Sequence, residues 1–463
     1  MPHLSRRQAL CALGAAAGWR PRIARAAGAG GWDAFPALLE RIQPPRFPER
    51  DFEIAKYGAR EGGKIDNTEA FRKAIEAASA AGGGRVLVPA GIFLTGAIHL
   101  KSGVNLVVAK DATVRFNPDP HLYPMVLTRF EGMECINFSA FVYALDQRNI
   151  AITGAGTLDG QAGCEHWWPW SGKARCGAPS GGPDQRKARA ALMDLTERGV
   201  PVEQRRMGEG SYLRPMFVQP YRCANVLIEG VTITNSPMYE LHPVLCRNVT
   251  VRGVAVVSHG PNNDGCDPES SADMLIDRCT FDTGDDCIAI KSGRNADGRR
   301  LHTPSENIIV QGCTMKDGHG GVTLGSECSG GIRNVYAQDC KMDSPNLDRV
   351  LRVKTNAIRG GVIENVYMRN VEAGQVAGAA IDVDFYYEEG EKGAFTPVVR
   401  NIEVANLTCR RSKSALSLRG FKAAPIRDVK LRNCKFEQTS AANVVENVEG
   451  LVMEAVTING KTV

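Results

Sequence analysis

Asn225-Val-Leu-Ile-Glu-Gly-Val231 and Asn248-Val-Thr-Val-Arg-Gly-Val254 share one pattern: an Asn, an apolar alternation, a polar and small pair, then an apolar residue. It returns as Asp273-Met-Leu-Ile-Asp-Arg-Cys279, Asn307-Ile-Ile-Val-Gln-Gly-Cys313, Asn334-Val-Tyr-Ala-Gln-Asp-Cys340 and Asn365-Val-Tyr-Met-Arg-Asn-Val371. An earlier copy starts at Asn149 and later ones at Asn401, Asp428 and Gly450; from Asn225 onward the starts lie 22 to 36 residues apart. Each unit holds short period-two strands and no amphipathic run of helix length. A unit this short cannot bury its own apolar face, so it must stack on its neighbours. The expected fold is therefore all-β: a right-handed single-stranded parallel β-helix, a pectate-lyase-like solenoid whose coils rise by about 4.8 Å.

Stacking turns the seventh position of the repeat into an interior ladder: Val231, Val254, Cys279, Cys313, Cys340, Val371, Leu407, Cys434 and Val456. Four of the 14 Cys are thereby explained as small buried hydrophobes. The leading Asn should stack too, bonding to turn backbone. Ahead of the repeats, Asp66-Asn67-Thr68 followed by Glu69 to Ala81 reads as a capped helix closed by Gly82-Gly83-Gly84, with Phe71, Ala74, Ile75 and Ala78 on one face. Such a helix can plug the open end of the solenoid.

The first 27 residues form a separate unit. Ser5-Arg6-Arg7 precedes a small, weakly apolar run that ends at Ala24-Arg25-Ala26, as in a twin-arginine export signal with its cleavage site. Residues 28–50 follow as a linker or N-terminal extension, and 51–463 as one β-helical catalytic domain. A periplasmic or extracellular location is expected. Between Asn149 and Asn225 lie 76 residues, about fifty more than a coil needs. The excess, near 161–214, holds Trp167-Trp168-Pro169-Trp170 and a charged helical stretch near Gln185–Arg198, and reads as a rim insertion.

Composition narrows the chemistry. Of 463 residues, 43% are hydrophobic and 23% charged, which excludes a disordered chain, while 49 Gly and 6% aromatics suit turn-rich β structure. Five of the 56 basic residues fall in the export segment, leaving 51 against 51 acids, so nothing favours nucleic acid. No stretch is apolar enough to span a bilayer once the signal is removed. Neither C-x-x-C nor zinc spacing occurs, so no metal and no cofactor is expected. A monomer is favoured.

Polar residues interrupt the repeat in consecutive coils at Gly260-Pro261-Asn262-Asn263-Asp264-Gly265 and at Thr283-Gly284-Asp285-Asp286-Cys287. Asp264 precedes Asp285 by 21 residues, about one coil, which predicts that they lie side by side with Asp286 as a third acid. Stacked like charges should raise at least one pKa. Glycoside hydrolysis uses such a set; a Ca²⁺ site and plain turn formers are the competing readings. One repeat further comes Gly318-His319-Gly320-Gly321, then Arg352-Val353-Lys354, whose two cations share one strand face and suit an anionic sugar. Phe385-Tyr386-Tyr387 offers an aromatic platform or a packed loop.

These elements resemble family 28 of the glycoside hydrolases, the polygalacturonase family, over almost all of the mature chain. The family's Asn-Thr-Asp, Asp-Asp, Gly-His-Gly and Arg-Ile-Lys motifs stand here as Asn262-Asn263-Asp264, Asp285-Asp286, Gly318-His319-Gly320 and Arg352-Val353-Lys354. Asn263 replaces Thr and Val353 replaces Ile, which leaves the reacting side chains in place. The resemblance implies hydrolysis of α-1,4-galacturonosyl linkages in pectin with inversion. Asp285 would then be the general acid, Asp264 and Asp286 would activate water, and His319 would tune the acid. Arg352 and Lys354 would grip the sugar carboxylate. Tyr387, with Tyr386 as rival, would contact the ring, and Asn262 and His242 would line the groove. Arg214 would touch substrate or tie the insertion down. Acids on adjacent coils sit closer than the roughly 6.5–9.5 Å usual for inversion, a separation that alone would favour retention; inversion is what the resemblance implies. The alternatives are a calcium-dependent pectate lyase and a non-catalytic carbohydrate-binding β-helix.

Overall fold

The computed structural model describes residues 31–173 and 182–463; the export segment expected at 1–27 lies outside them. Three parallel ladders wind as one β-helix. In the first, Leu106, Ile152, Ile228, Val251, Ile276, Val310, Ala337, Met368, Val404 and Leu431 stand in register, all buried. In the second, Val114, Leu158, Ile233, Val256, Phe281, Met315 and Met342 do the same. Because Val362–Gln375 and Val398–Ser412 run unbroken through both, the two merge into one sheet of 25 strands. The third ladder carries Val218, Leu241, Cys266, Ile288, Val322, Leu351, Ile381 and Leu416 inward. Its outward residues form the floor on which everything functional is built.

The seventh-position ladder is buried throughout, and its four thiols are free. The leading Asn residues differ from expectation in their partners. Each adopts left-handed backbone, with φ of 53–60° at Asn149, Asn225, Asn248, Asn307, Asn334, Asn365 and Asn401. That conformation is disfavoured for most L-residues and least so for Asn. Their side chains bond chiefly to one another: Asn225 Nδ2 donates to Asn149 Oδ1 (2.8 Å), Asn248 to Asn225 (2.8 Å), Asn334 to Asn307 (3.0 Å), Asn365 to Asn334 (3.0 Å) and Asn401 to Asn365 (2.7 Å). Asn225, Asn334 and Asn365 each both donate and accept at the coil spacing, which backbone contacts alone would not require. Asp273, which has no N–H to donate, breaks the chain, and the break is bridged from outside: Arg41 donates to Asp273 Oδ1 at 2.7 Å, and the backbone N–H of Gln43 donates to Asn248 Oδ1 at 3.0 Å.

Those two residues belong to a docked strap rather than a free linker. The short helix Phe35–Arg41 and its flanks lay Trp32, Phe35, Leu38 and Ile42 on Leu275, Ile309, Tyr336 and Tyr367 along the outside of the first ladder. Arg369 caps the patch, its guanidinium 3.7 Å from the Trp32 ring centre.

The helix Thr68–Ala80 caps the solenoid as expected, burying Phe71, Ala74, Ile75 and Ala78. Asn67 does not cap it through its side chain, which instead binds the backbone of Arg60, Ile65 and Leu94. Between Asp159 and Val218 the chain leaves the second ladder and rejoins the third, with a turn at Trp168–Ser171 and a helix at Arg186–Glu197. Together with the hairpin Met125–Phe130/Met133–Phe138, this excursion covers the outer face of the early coils: Phe130, Met133, Leu192, Leu213 and Met216 pack on Tyr143, Tyr221, Tyr239 and Val244.

The amide ladder is testable. Asn334→Ala loses two inter-coil hydrogen bonds and forces Ala into left-handed backbone; a destabilisation of about 2 kcal/mol is expected, seen as a lowered thermal midpoint.

Candidate active site

Register decides which acids meet. Cys266 pairs with Ile288, and the N–H of Gly265 bonds the carbonyl of Asp286, so Asp264 stacks on Asp286 rather than on Asp285. Asp285 pairs one residue earlier, its N–H on the carbonyl of Asn263. The three still converge, with an acceptor oxygen of each within 4.8 Å of the others. His319 arrives because its N–H bonds the carbonyl of Asp285 (3.1 Å), and the helix Asn295–Leu301 accounts for the long coil before it. The flanking glycines are required by space: a Cβ on Gly318 would lie 2.7 Å from that same carbonyl, and one on Gly320 would lie 2.3 Å from Thr323 Oγ1.

The acids differ in surroundings. Asp285 is the most accessible, its side chain 14% exposed, and its Oδ1 bonds His319 Nδ1 at 2.8 Å. Burial would raise it, but the hydrogen bond and charge of His319, helped by Lys354 and Lys173, hold its carboxyl well below the usual range. His319 is raised in return, first by that hydrogen bond. Asp286 is sealed beneath, its oxygens taken by Lys354 Nζ (2.7 Å), Thr323 Oγ1 (2.9 Å) and Arg352 Nη1 (3.5 Å). Although burial opposes it, Lys354 and Arg352 keep Asp286 below its ordinary value. Asp264 is pushed up to about 7, by burial first and by Asp285 and Asp286 next, against the pull of Lys291. One raised acid was expected; it is Asp264 rather than Asp285, and desolvation outweighs like charge as the cause.

Arg352 and Lys354 flank the core residue Val353 and face out together, as their spacing requires, yet both are paired with Asp286 before any ligand arrives. Four cations, Lys291, His319, Arg352 and Lys354, thus answer three carboxylates, the reverse of what a divalent ion would need. The acids open into a cleft of about 520 Å³ lined also by Asn262, Tyr239, Tyr387, Glu327 and Arg294, and by Ser171, Lys173, Gln185, Arg186 and Arg189 from the excursion.

Two expected contacts fall elsewhere, and Arg214 takes the second of its two expected roles. His242 is fully buried under the cleft, held between Gln219 and Glu269 at 3.0 and 2.7 Å, because its coil is roofed by the excursion. Tyr386 packs edge-on against Phe421 and beneath Arg419, away from the cleft, and Phe385 is core; only Tyr387 faces in, with Lys354 5.3 Å and Arg352 5.7 Å from its ring centre. Arg214 is a tie, bonding Gln185, the carbonyls of Pro237 and Pro261, and Asn262 Oδ1. Two buried cations of the cleft were not foreseen. Lys291 closes the apolar run Cys287-Ile-Ala-Ile-Lys291, and a lone charge ending such a run was the available signal. Arg294 joins Glu131 (2.9 Å), Glu327 (3.3 Å) and Glu388 (3.3 Å), which no local pattern connects.

A β-helix with clustered acids and a cationic clamp in an open cleft defines a carbohydrate-cleaving class of protein. The model for glycosyl hydrolases family 28 matches residues 205–457, and the chain belongs to that family, as a glycoside hydrolase. It is similar to the solved structure of a hyperthermoactive exopolygalacturonase from Thermotoga maritima, at 46% identity and a TM-score of 0.90, over 93% of this chain and 96% of that one. A "Probable polygalacturonase" of Vitis vinifera is 26% identical, over 86% of this chain and 77% of its own length. An exo-poly-alpha-D-galacturonosidase of Dickeya chrysanthemi is 27% identical over 73% and 57% respectively.

The two tyrosines give a direct check. Tyr387→Ala should raise KM roughly tenfold, about 1.4 kcal/mol of ring contact, while Tyr386→Ala leaves KM unchanged in steady-state assays.

Proposed function

We propose that this protein is an exported exo-acting hydrolase of α-1,4-galacturonan that releases sugar from a chain end with inversion. One observation carries the mode of action: the outer face of the third ladder is roofed over from Tyr143 to Val244 by the hairpin and the excursion, so the groove stops just behind the acids. An internal stretch of polymer has no way through; a chain end does. The likeness to the Thermotoga maritima enzyme supports the same reading. Clamping by Arg352 and Lys354 supports a uronate, whose carboxylate would share these cations with Asp286.

In the reaction, water attacks the anomeric carbon while the bond to the leaving oxygen breaks. The water proton goes to Asp264, whose Oδ1 accepts no hydrogen bond among the described residues, with Asp286 beside it. The leaving oxygen takes its proton from Asp285, which His319 orients. Asp264 and Asp285 titrate as a linked pair, and at mildly acidic pH the pair holds one proton. Catalysis uses the form in which Asp285 carries it. The acids are closer than in most inverting enzymes; Asp286, with both oxygens held by cations and Thr323, is a poor nucleophile, which favours water as the attacking group.

Asp285→Asn should lower kcat by at least about a hundredfold with an unchanged circular dichroism spectrum. Monogalacturonate should appear from the first minutes with little loss of polymer viscosity, released from the α-linkage first as the β-anomer in a proton NMR time course, with the α-anomer growing in only by later mutarotation. Chelator should have no effect and no ultraviolet-absorbing product should form, whereas a calcium-dependent lyase would show both. Because the protonated pair is the active form, the rate should fall as pH rises through about 7, the value to which Asp264 is pushed; a flat profile from about pH 5 to 9 would contradict the assignment.

A further inference from the structure

We infer that Lys291 is the positioning residue that biases the shared proton of the two linked carboxyls toward Asp285: its ammonium, bonded to Asp264, favours the anion there and so raises the share of the pair in which Asp285 carries the proton. The inference rests on the roles given above to those two acids.

Lys291 follows the core strand Ile288–Ile290 and is almost wholly buried at the cleft floor. Its Nζ lies 3.3 Å from Asp264 Oδ2, 3.5 Å from Glu327 Oε2 and 3.6 Å from Asp267 Oδ1, and 4.8 Å from the ring centre of Tyr239. A purely structural buried lysine would be expected to make one short ion pair away from the reacting groups. This one is spread over three carboxyls, two of which, Asp264 and Glu327, line the reaction chamber. Neither oxygen of Asp267 has a hydrogen-bond partner, and burial pushes that group well up, so it competes weakly for the charge. Glu327, though burial opposes it, is held ionised by Lys291 and Arg294 and is the real competitor.

The other charges around Asp264 do not discriminate in the same way. Asp285 and Asp286 face it from the next coil, Glu240 and Tyr239 from the previous one, and Asp267 from its own strand. These disfavour its ionisation. Of the cations among the described residues, Lys354 is committed to Asp286 at 2.7 Å and Arg214 to Gln185 and the carbonyls of Pro237 and Pro261, which leaves Lys291 as the one bonded to Asp264 itself. Since Asp285 has His319 instead, the site carries one cation for each acid, and the balance between the two places the proton.

The test is the pH profile of kcat/KM on trigalacturonate for the purified protein and its variants. Lys291→Met removes the charge at similar length; kcat should fall at every pH, and both limbs should move up by about one unit, the least expected for a lost charge at this distance. Lys291→Arg should keep the limbs near their original places. Glu327→Gln frees more of the ammonium for Asp264 and should move the limbs down, which decides the matter should Lys291→Met not fold. Unmoved limbs in the folded Lys291→Met variant, or limbs that fail to drop in Glu327→Gln, would overturn the inference. Asp264→Asn separates the two levels: if it stays active, the role of Asp264 fails and this inference with it. If it is inactive while the limbs stay put, only the role of Lys291 fails.

Discussion

Everything in this molecule depends on the register between neighbouring coils. Parallel strands alternate their side chains, so a slip of one residue would turn the interior row outward and the cleft floor inward. Two stacks oppose such a slip. Apolar residues repeat at the same interior positions through most of the length, and the amides of the leading Asn residues bond coil to coil in left-handed backbone. The second stack is the more selective, since hydrophobic contacts tolerate small displacements and a hydrogen bond with a strict partner does not. Where Asp273 interrupts it, Arg41 and Gln43 restore the connection.

The site inherits its geometry from that register. Asp264, Asp285 and His319 sit at loop turns whose neighbours are locked into the third ladder, while Arg352 and Lys354 sit on one of its strands. What distinguishes the three acids chemically is depth and company. The most exposed is paired with an imidazole, the deepest with two cations, and the third with an ammonium it must share. Similar carboxyls can therefore take different protonation states within a few ångströms.

Much of this was legible in the sequence, and the reasons are physical. A repeat that cannot bury itself alone compels stacking, so the solenoid, its capping helix and the thiol ladder could be read directly. Arg352 and Lys354 followed from strand alternation, and the meeting of the acids from coil length. Coil length, however, is uncertain by a residue, and that residue decides whether Asp264 rests on Asp286 or Asp285. Likewise, Tyr386 and Tyr387 are adjacent in sequence and only the loop tells which faces the cleft. His242 was misplaced for a different reason: nothing local in its coil records the roof supplied by the 160–217 excursion. Arg294 left no local trace at all, because the acids that surround it come from remote parts of the chain.

The strap at the start of the chain bears on the order of events during synthesis. Trp32 rests on Tyr336 and Tyr367, about three hundred positions later, so the strap lacks its platform until most of the polypeptide has left the ribosome. Contacts this remote are slow to form, because a long loop must close before they are rewarded. The leading segment therefore waits while the coils assemble one upon another, and its docking becomes a late clasp that closes only on a solenoid already built.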